Sequence, residues 1–240
     1  MTISHTEQPQ CHVCGQASLC PFPSIATSGI VNQYRAGTDI IQQFTPNTGV
    51  HVVCAGAIAI SETVPSQNSV ILDIVSTGGI LGIVECGLDL RRYHFSARAL
   101  NDTVVTFFPL NDIRRQCSES AGEMRMLAAV SQALRQLEKR YLLLSIAEAT
   151  DRLIATLLWL SRMDKIVSDH KAIIPFELTN TILSSLIRVR PETVTRLISQ
   201  LRTEDLIEYS NGRLVIADQT ALKARASIDL DRFIIDSMVS

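Results

Sequence analysis

Three cysteines, Cys11, Cys14 and Cys20, crowd the first twenty residues at C-x2-C-x5-C spacing, and the chain carries six cysteines in all. The stretch from Met1 to Gln10 is polar, without a basic n-region or an apolar h-region, and no apolar run approaches the length of a membrane span. A cytoplasmic protein is expected, where metal binding or redox sensing is a better use for clustered thiols than a disulfide framework. A second group with chemistry lies near the other end. Between Arg188 and Arg202 four arginines, Arg188, Arg190, Arg196 and Arg202, face one acid, Glu192. That local positive charge suits a phosphate backbone, and it is concealed by a whole-chain net charge of −2. The chain is neither a polyanion-coating protein nor disordered, because 46% hydrophobic residues are enough for a real core.

The elements that must carry these residues divide the chain by periodicity. From about Asn32 to Phe108 the sequence reads as short strands, at Val50 to Val53, Ala57 to Ser61, Val70 to Val75 and Val104 to Phe108. Turn signals at Pro46-Asn47-Thr48-Gly49, Pro65-Ser66-Gln67-Asn68 and Gly78-Gly79 separate them, which predicts an antiparallel barrel or roll. From Glu123 to Ala147 the period changes to that of a helix. Leu127, Val130, Leu134, Leu137, Tyr141 and Leu144 alternate three and four residues apart, an a/d seam that stops at Glu148. Such a seam pairs with an identical helix, although a helix packed on its own barrel shows a similar stripe. Asp151 to Met163 reads as a further amphipathic helix with Thr150 or Asp151 as its N-cap.

Thr179 to Ala217 predicts a winged helix-turn-helix. Thr179 caps a short helix running to Ile187, a turn falls near Arg188 and Val189, and a second helix opens at Arg190 or Pro191, where proline loses no hydrogen bond. On that helix Val194, Leu197 and Leu201 face inward, leaving Glu192, Thr195, Arg196 and Ser199 exposed, with Arg190 and Arg202 at the rim. Asn211-Gly212 between Leu206-Ile207-Glu208-Tyr209 and Arg213-Leu214-Val215-Ile216 is a hairpin signal and marks the wing. The bland alternative, a surface ion pair between Glu192 and Arg196 on an ordinary helix, accounts for neither the proline nor the hairpin.

Pro191-Glu192-Thr193-Val194-Thr195-Arg196-Leu197 resembles the recognition helix of the CRP/FNR superfamily of bacterial transcription regulators. Gly79-Ile80-Leu81-Gly82 resembles the glycine-bracketed loop of that family's sensory β-roll, Gly56 its strand-entry glycine, and Arg152-Leu153-Ile154-Ala155 through Leu160-Ser161 the helix after the dimer helix. The resemblance implies an α+β fold: a cysteine-rich loop over residues 1–22, an antiparallel cyclic-nucleotide-binding-like β-roll over 23–120, a dimerisation helix over 121–148, and a C-terminal winged helix-turn-helix over 149–240. It implies a homodimer that binds double-stranded DNA, activates or represses transcription and meets RNA polymerase. It implies no enzymatic activity. Glu192, Thr195 and Arg196 then read a TTGAT-like half-site in an inverted repeat, while Arg190 and Arg202 touch phosphate.

The N-terminal cysteine spacing resembles that of the FNR branch, in which three such thiolates and one distant cysteine hold a four-iron, four-sulfur cluster that senses oxygen or nitric oxide. Soft thiolates on a short loop can wrap one corner of a cubane. Where FNR carries its distant cysteine this chain has Thr106. Cys86, beside Gly87 in the loop after Gly82, is the first choice for the fourth ligand, Cys117 the second, and a carboxylate could also serve. Cys54, in the run Val52-Val53-Cys54-Ala55, reads as an inert buried thiol. Zinc ranks lower, for want of a second C-x2-C or His pair, and haem on His12, His51 or His94 lower again. Cyclic nucleotides are disfavoured, since Ile80 and Tyr93-His94-Phe95-Ser96 stand where related catabolite regulators use Glu and an Arg-Ser pair. Within the helix-turn-helix, Arg188 replaces a usual glycine and Ile182 a usual acid. The reading from another functional class, an iron–sulfur electron carrier or redox enzyme, finds no nucleophile elbow, phosphate loop or paired carboxylates to support it.

Overall fold

Alternation of apolar and polar residues in the first half of the chain builds two four-stranded antiparallel sheets. In the computed structural model, which describes residues 28–64, 69–118, 120–163 and 171–230, the strands are β1 (Ile30–Tyr34), β2 (Asp39–Ile41), β3 (Gly49–Ala55), β4 (Ala57–Glu62), β5 (Val70–Ser76), β6 (Ile80–Leu81), β7 (Ser96–Ala99) and β8 (Thr103–Pro109). One sheet has the order β1-β8-β3-β6 and the other β2-β7-β4-β5. The predicted strands at 50–53, 57–61, 70–75 and 104–108 each appear, longer by one to three residues. Gly56 turns the chain from β3 into β4 with φ of 93°, and an added Cβ would meet Thr103 Oγ1 at 2.5 Å, so only glycine fits.

Short helix α1 (Ile83–Gly87) follows β6, and α2 (Leu110–Cys117) follows β8. Val50, Val52, Ile83, Phe108, Ile113 and Ala129 form one apolar cluster, with Cys86, Cys117 and Met126 packed on it. The site of Cys86, expected to be a loop, is therefore helical: the amide of Cys86 donates to Gly82 O at 3.0 Å, and Gly82 itself holds the left-handed conformation that starts the turn.

The long helix α3 runs Ser120–Ser145 rather than Glu123 to Ala147. Its end comes early because the Arg152 guanidinium takes the carbonyls of Ile146 and Ala147, at 2.6 and 2.8 Å, which turns them out of a helical ladder. Helix α4 (Ala149–Ser161) begins at Glu148, which makes no side-chain cap bond. Neither Thr150 nor Asp151 is its N-cap, as the sequence suggested. Asp151 lies inside the helix, buried, where its carboxylate accepts from the backbone and hydroxyl of Ser227.

The remaining elements are β9 (Ala172–Ile173), α5 (Asn180–Ile187), α6 (Pro191–Thr203), β10 (Ile207–Ser210), β11 (Arg213–Ile216) and α7 (Gln219–Ala224), with the three strands ordered β10-β11-β9. The chain divides into two compact units. One comprises the described residues of Met1–Ile58 and Val75–Leu134, and the other those of Ala59–Ile74 and Arg135–Ser240. The outer parts of β4 and β5 thus cluster with the C-terminal helices, and the division falls within α3.

Candidate nucleic-acid interface and sensory site

Helix α5 starts where Thr179 Oγ1 accepts from the amide of Ile182 at 3.2 Å, the predicted cap. Ile182, in the place of an acid, is buried and contributes to packing. The turn that follows keeps a left-handed residue without glycine: Arg188 has φ of 54° and ψ of 51°. That conformation costs an L-residue roughly 1–2 kcal/mol. Pro191 then opens α6 with Arg190 at its N-cap.

Val194, Leu197, Ile198 and Leu201 bury one face of α6, whereas Arg190, Glu192, Thr195, Arg196, Ser199 and Arg202 are all exposed. Six predicted DNA-contacting residues thus share the uncovered side. Among the described residues Glu192 and Arg196 make no ion pair with each other. Thr195 is more constrained than a surface residue. Its hydroxyl accepts from Asn180 Nδ2 at 2.9 Å and donates to Pro191 O at 3.0 Å, which leaves the methyl as its free group. Asn180, missed by the sequence reading, thereby ties the two helices of the motif together. The residue's only signal was its place directly after the cap.

The wing closes on Asn211 and Gly212, both at positive φ, 50° and 76°. Two consecutive left-handed residues make the primed turn that an Asn-Gly hairpin wants. Tyr209, on β10, was also unforeseen: the Arg202 guanidinium lies 5.8 Å from its ring centroid. This contact holds Arg202 beside the wing.

Most of the seam residues of α3 are exposed in the single chain. Leu127, Val130, Leu134, Leu137 and Tyr141 are exposed by 58, 38, 56, 65 and 74%. Leu144 is half-buried. Among the described residues most of this stripe is uncovered.

Of the cysteines, Cys11, Cys14 and Cys20 lie outside the described residues, as does His12. Cys86 and Cys117, the two candidates for a fourth ligand, are neighbours. Asp89 and Arg114 form an ion pair, and one turn away from it, in opposite chain directions, stand Cys86 and Cys117 on the same apolar cluster. Burial raises the pKa of both thiols; the nearby Cys117 and Asp89 raise Cys86 further, while Arg114 opposes. Either sulfur would have to lose its proton to bind a metal. Cys54 is buried, with its sulfur 3.1 Å from Thr106 Oγ1. The neighbouring strand thus places a thiol against the very residue that stands where FNR has its distant cysteine. Among the described residues no three His, Cys, Asp or Glu side chains are grouped to hold a metal ion.

The histidines considered for haem differ. His51 is buried against Phe107 and Tyr93, which lowers its pKa to about 4 by desolvation, and its Nδ1 has no hydrogen-bond partner among the described residues. His94 is exposed, 3.7 Å from the buried carboxylate of Glu85. Where related regulators would hold a cyclic nucleotide, Ile80 is apolar and Tyr93 uses its hydroxyl on Gly49 O at 2.7 Å. No helix among the described residues is long and apolar enough to cross a membrane.

Two family models match the chain in sequence. A cyclic nucleotide-binding domain covers residues 31–120, and a Crp-like helix-turn-helix domain covers residues 151–225. The global nitrogen regulator of Synechococcus elongatus is 24% identical over 200 residues, covering 82% of this chain and 90% of the relative. A CRP-family transcriptional regulator from Thermus thermophilus superposes with a TM-score of 0.69 at 18% identity, over 83% of this chain and 98% of that one. FixK2 from Bradyrhizobium japonicum gives 0.68 at 21% identity over 83% and 98%. A β-roll matched by the cyclic nucleotide-binding model, followed by a helix-turn-helix matched by the Crp-like model, places the chain in the CRP/FNR family of DNA-binding transcription regulators.

Proposed function

We propose that the chain is a cytoplasmic homodimer that reads TTGAT-like inverted repeats through α6 and responds to oxygen or nitric oxide through a four-iron, four-sulfur cluster. The observation that carries the DNA half is the exposed group Glu192, Thr195 and Arg196 at the start of α6, with Thr195 presenting its methyl because its hydroxyl is held by Asn180 and Pro191. A carboxylate can accept from cytosine N4, a threonine methyl can meet a thymine methyl, and an arginine can fork onto guanine O6 and N7. Ser199 lies one turn further along the same face. Arg190 and Arg202 then bind phosphate. Pairing runs through Leu127, Val130, Leu134, Leu137, Tyr141 and Leu144, and the exposure of most of this stripe supports it. RNA polymerase is the further partner, met by activation or blocked by repression at the bound site.

For the sensory half, Cys11, Cys14, Cys20 and Cys86 are the ligand set we propose, within a division into loop 1–22, roll 23–120, dimer helix 121–148 and DNA-binding module 149–240. What supports Cys86 is its position: a half-buried thiol on α1, flanked by Cys117 and set on the apolar cluster that also receives α3 through Ala129. The cluster, when bound, supplies a redox- and gas-sensitive group; the chain's part is to deprotonate and orient four sulfurs. Anaerobic purification, iron and sulfide analysis and an absorption spectrum test this, alongside selection of bound sequences from random duplexes. The expected result is about four irons and four sulfides per protomer, lost in Cys86→Ser and retained in Cys117→Ser. Zinc, haem or no metal in the anaerobic protein overturns the cluster, and retention by Cys86→Ser with loss by Cys117→Ser reassigns the ligand.

A further inference from the structure

The last carbonyls of any helix lack partners within it. At the end of α5, the first helix of the reading motif, two of them are taken by guanidinium groups from earlier helices. Arg140 of α3 donates through Nη2 to Leu186 O, and Arg152 of α4 donates through Nε to Ile187 O at 3.0 Å. Cations suit a helix C-terminus, where the macrodipole is negative. Arg152 turns its other donor back to the end of α3. Arg140 reaches elsewhere: its Nε stands 3.4 Å from Leu72 O on β5. Leu72, Arg140 and Leu186 all belong to the same compact unit.

The setting of Arg140 is costly for a simple cap. It is 6% exposed, lies 5.7 Å from the Trp159 ring centroid, and leaves Nη1 buried without a hydrogen-bond partner among the described residues. Burial lowers its pKa to about 10; Asp73, next to Leu72 on β5, attracts it, and Arg188 in the turn repels it. A buried cation is expensive unless its contacts are good. Packing alone would be better served by an apolar side chain, and capping alone needs only one carbonyl. What the planar guanidinium adds is a rigid span between two backbones, with one donor left over for a second arrangement.

We infer that Arg140 is a positioning residue coupling strand β5 to the turn of the helix-turn-helix, so that a displacement of β5 is felt at Leu186, at the left-handed Arg188 and at the start of α6. Strand β5 belongs to the β2-β7-β4-β5 sheet of the roll. The route from β5 to the helix-turn-helix is therefore Leu72 O, Arg140, Leu186 O. This rests on α6 being the element that reads DNA. A coupling element of this kind needs an equilibrium that both ends bias, and double-mutant analysis measures it.

The test uses the full chain, an operator obtained by selection from random duplexes, and a scrambled duplex. Arg140→Lys keeps the charge, but a single ammonium cannot span both carbonyls. It should weaken operator binding about tenfold while scrambled-duplex binding changes less than about twofold. Hydrogen exchange should quicken together in β5 and at the Val189 amide, which is bonded to Ser184 O at 3.2 Å. Asp73→Asn, remote from DNA, should shift operator affinity about threefold or more in the wild-type background and not in Arg140→Lys. Equal effects of Asp73→Asn in both backgrounds, equal losses on both duplexes, or wild-type operator binding by Arg140→Lys overturns the coupling. Should Arg140→Lys fail to fold, Asp73→Asn alone decides, since unchanged exchange at Val189 overturns the proposal and quickened exchange there sustains it. A wild-type chain that selects no operator refutes the DNA reading instead, and the exchange measurement still tests the coupling.

Discussion

Leu134→Glu separates pairing from folding. Leu134 is 56% exposed on α3, so the substitution should cost the folded protomer no more than about 0.5 kcal/mol. In a two-fold pair the same residue occurs twice. Burying a leucine fully is worth about 1.5–3 kcal/mol, and covering the exposed part on each protomer gives about 1–1.5, or about 2–3 kcal/mol for the pair. Glutamate forfeits this and places two carboxylates facing each other in an apolar seam, a further penalty of about 2 kcal/mol after partial solvation. A total near 4–5 kcal/mol raises the dimer dissociation constant about a thousandfold. Sedimentation velocity across a dilution series reads that shift, while urea unfolding checks that the protomer is intact. Operator binding should fall in parallel, because both half-sites must be engaged. Reasoning from the seam is refuted if Leu134→Glu sediments as the wild type does, or if the wild type stays monomeric with cluster and with DNA present.

Three other outcomes follow from the geometry. Glu192→Ala and Arg196→Ala should each relax preference at one base pair by about 1–3 kcal/mol and spare nonspecific binding; an unchanged ranking of single-base variants at fixed salt would remove these residues from base reading. Arg188→Gly should stabilise the chain by about 1 kcal/mol, since it relieves a left-handed arginine and its repulsion of Arg140; chemical denaturation showing destabilisation would mean that the guanidinium makes a compensating contact. His51 is held near pKa 4, below the 6.5 of the unfolded chain, so its neutral form contributes stability that is fully present above pH 6.5 and lost as pH falls toward 4. Up to about 3 kcal/mol of acid sensitivity should disappear from the unfolding curves of His51→Phe, and an unchanged pH profile would show that another group titrates.

The sequence by itself determined the order of modules and most of the reading motif, because those signals are local. Thr179 caps through its own side chain, Pro191 pre-sets its φ, and Asn211-Gly212 supplies two left-handed residues in sequence. Periodicity alone put Val194, Leu197 and Leu201 inside and left Glu192 and Arg196 outside. The seam of α3 was legible as a stripe, but its exposure was not, since a helix on its own roll has the same period. Long-range partners were out of reach altogether. Nothing local says that Asn180 would spend its amide on Thr195, that Asp151 would bind Ser227 instead of capping α4, or that Cys54 would meet Thr106 across two strands. Cys86, read from sequence as part of the loop after Gly82, lies instead on a turn of helix that packs on the Val50–Phe108 cluster. Nothing local marks Arg140 as different from the other charged residues of α3. Only the tertiary structure buries it, because the carbonyls that it serves come from a strand 68 residues before it and a helix 46 residues after it, and a backbone acceptor leaves no mark in the identity of the residue that carries it.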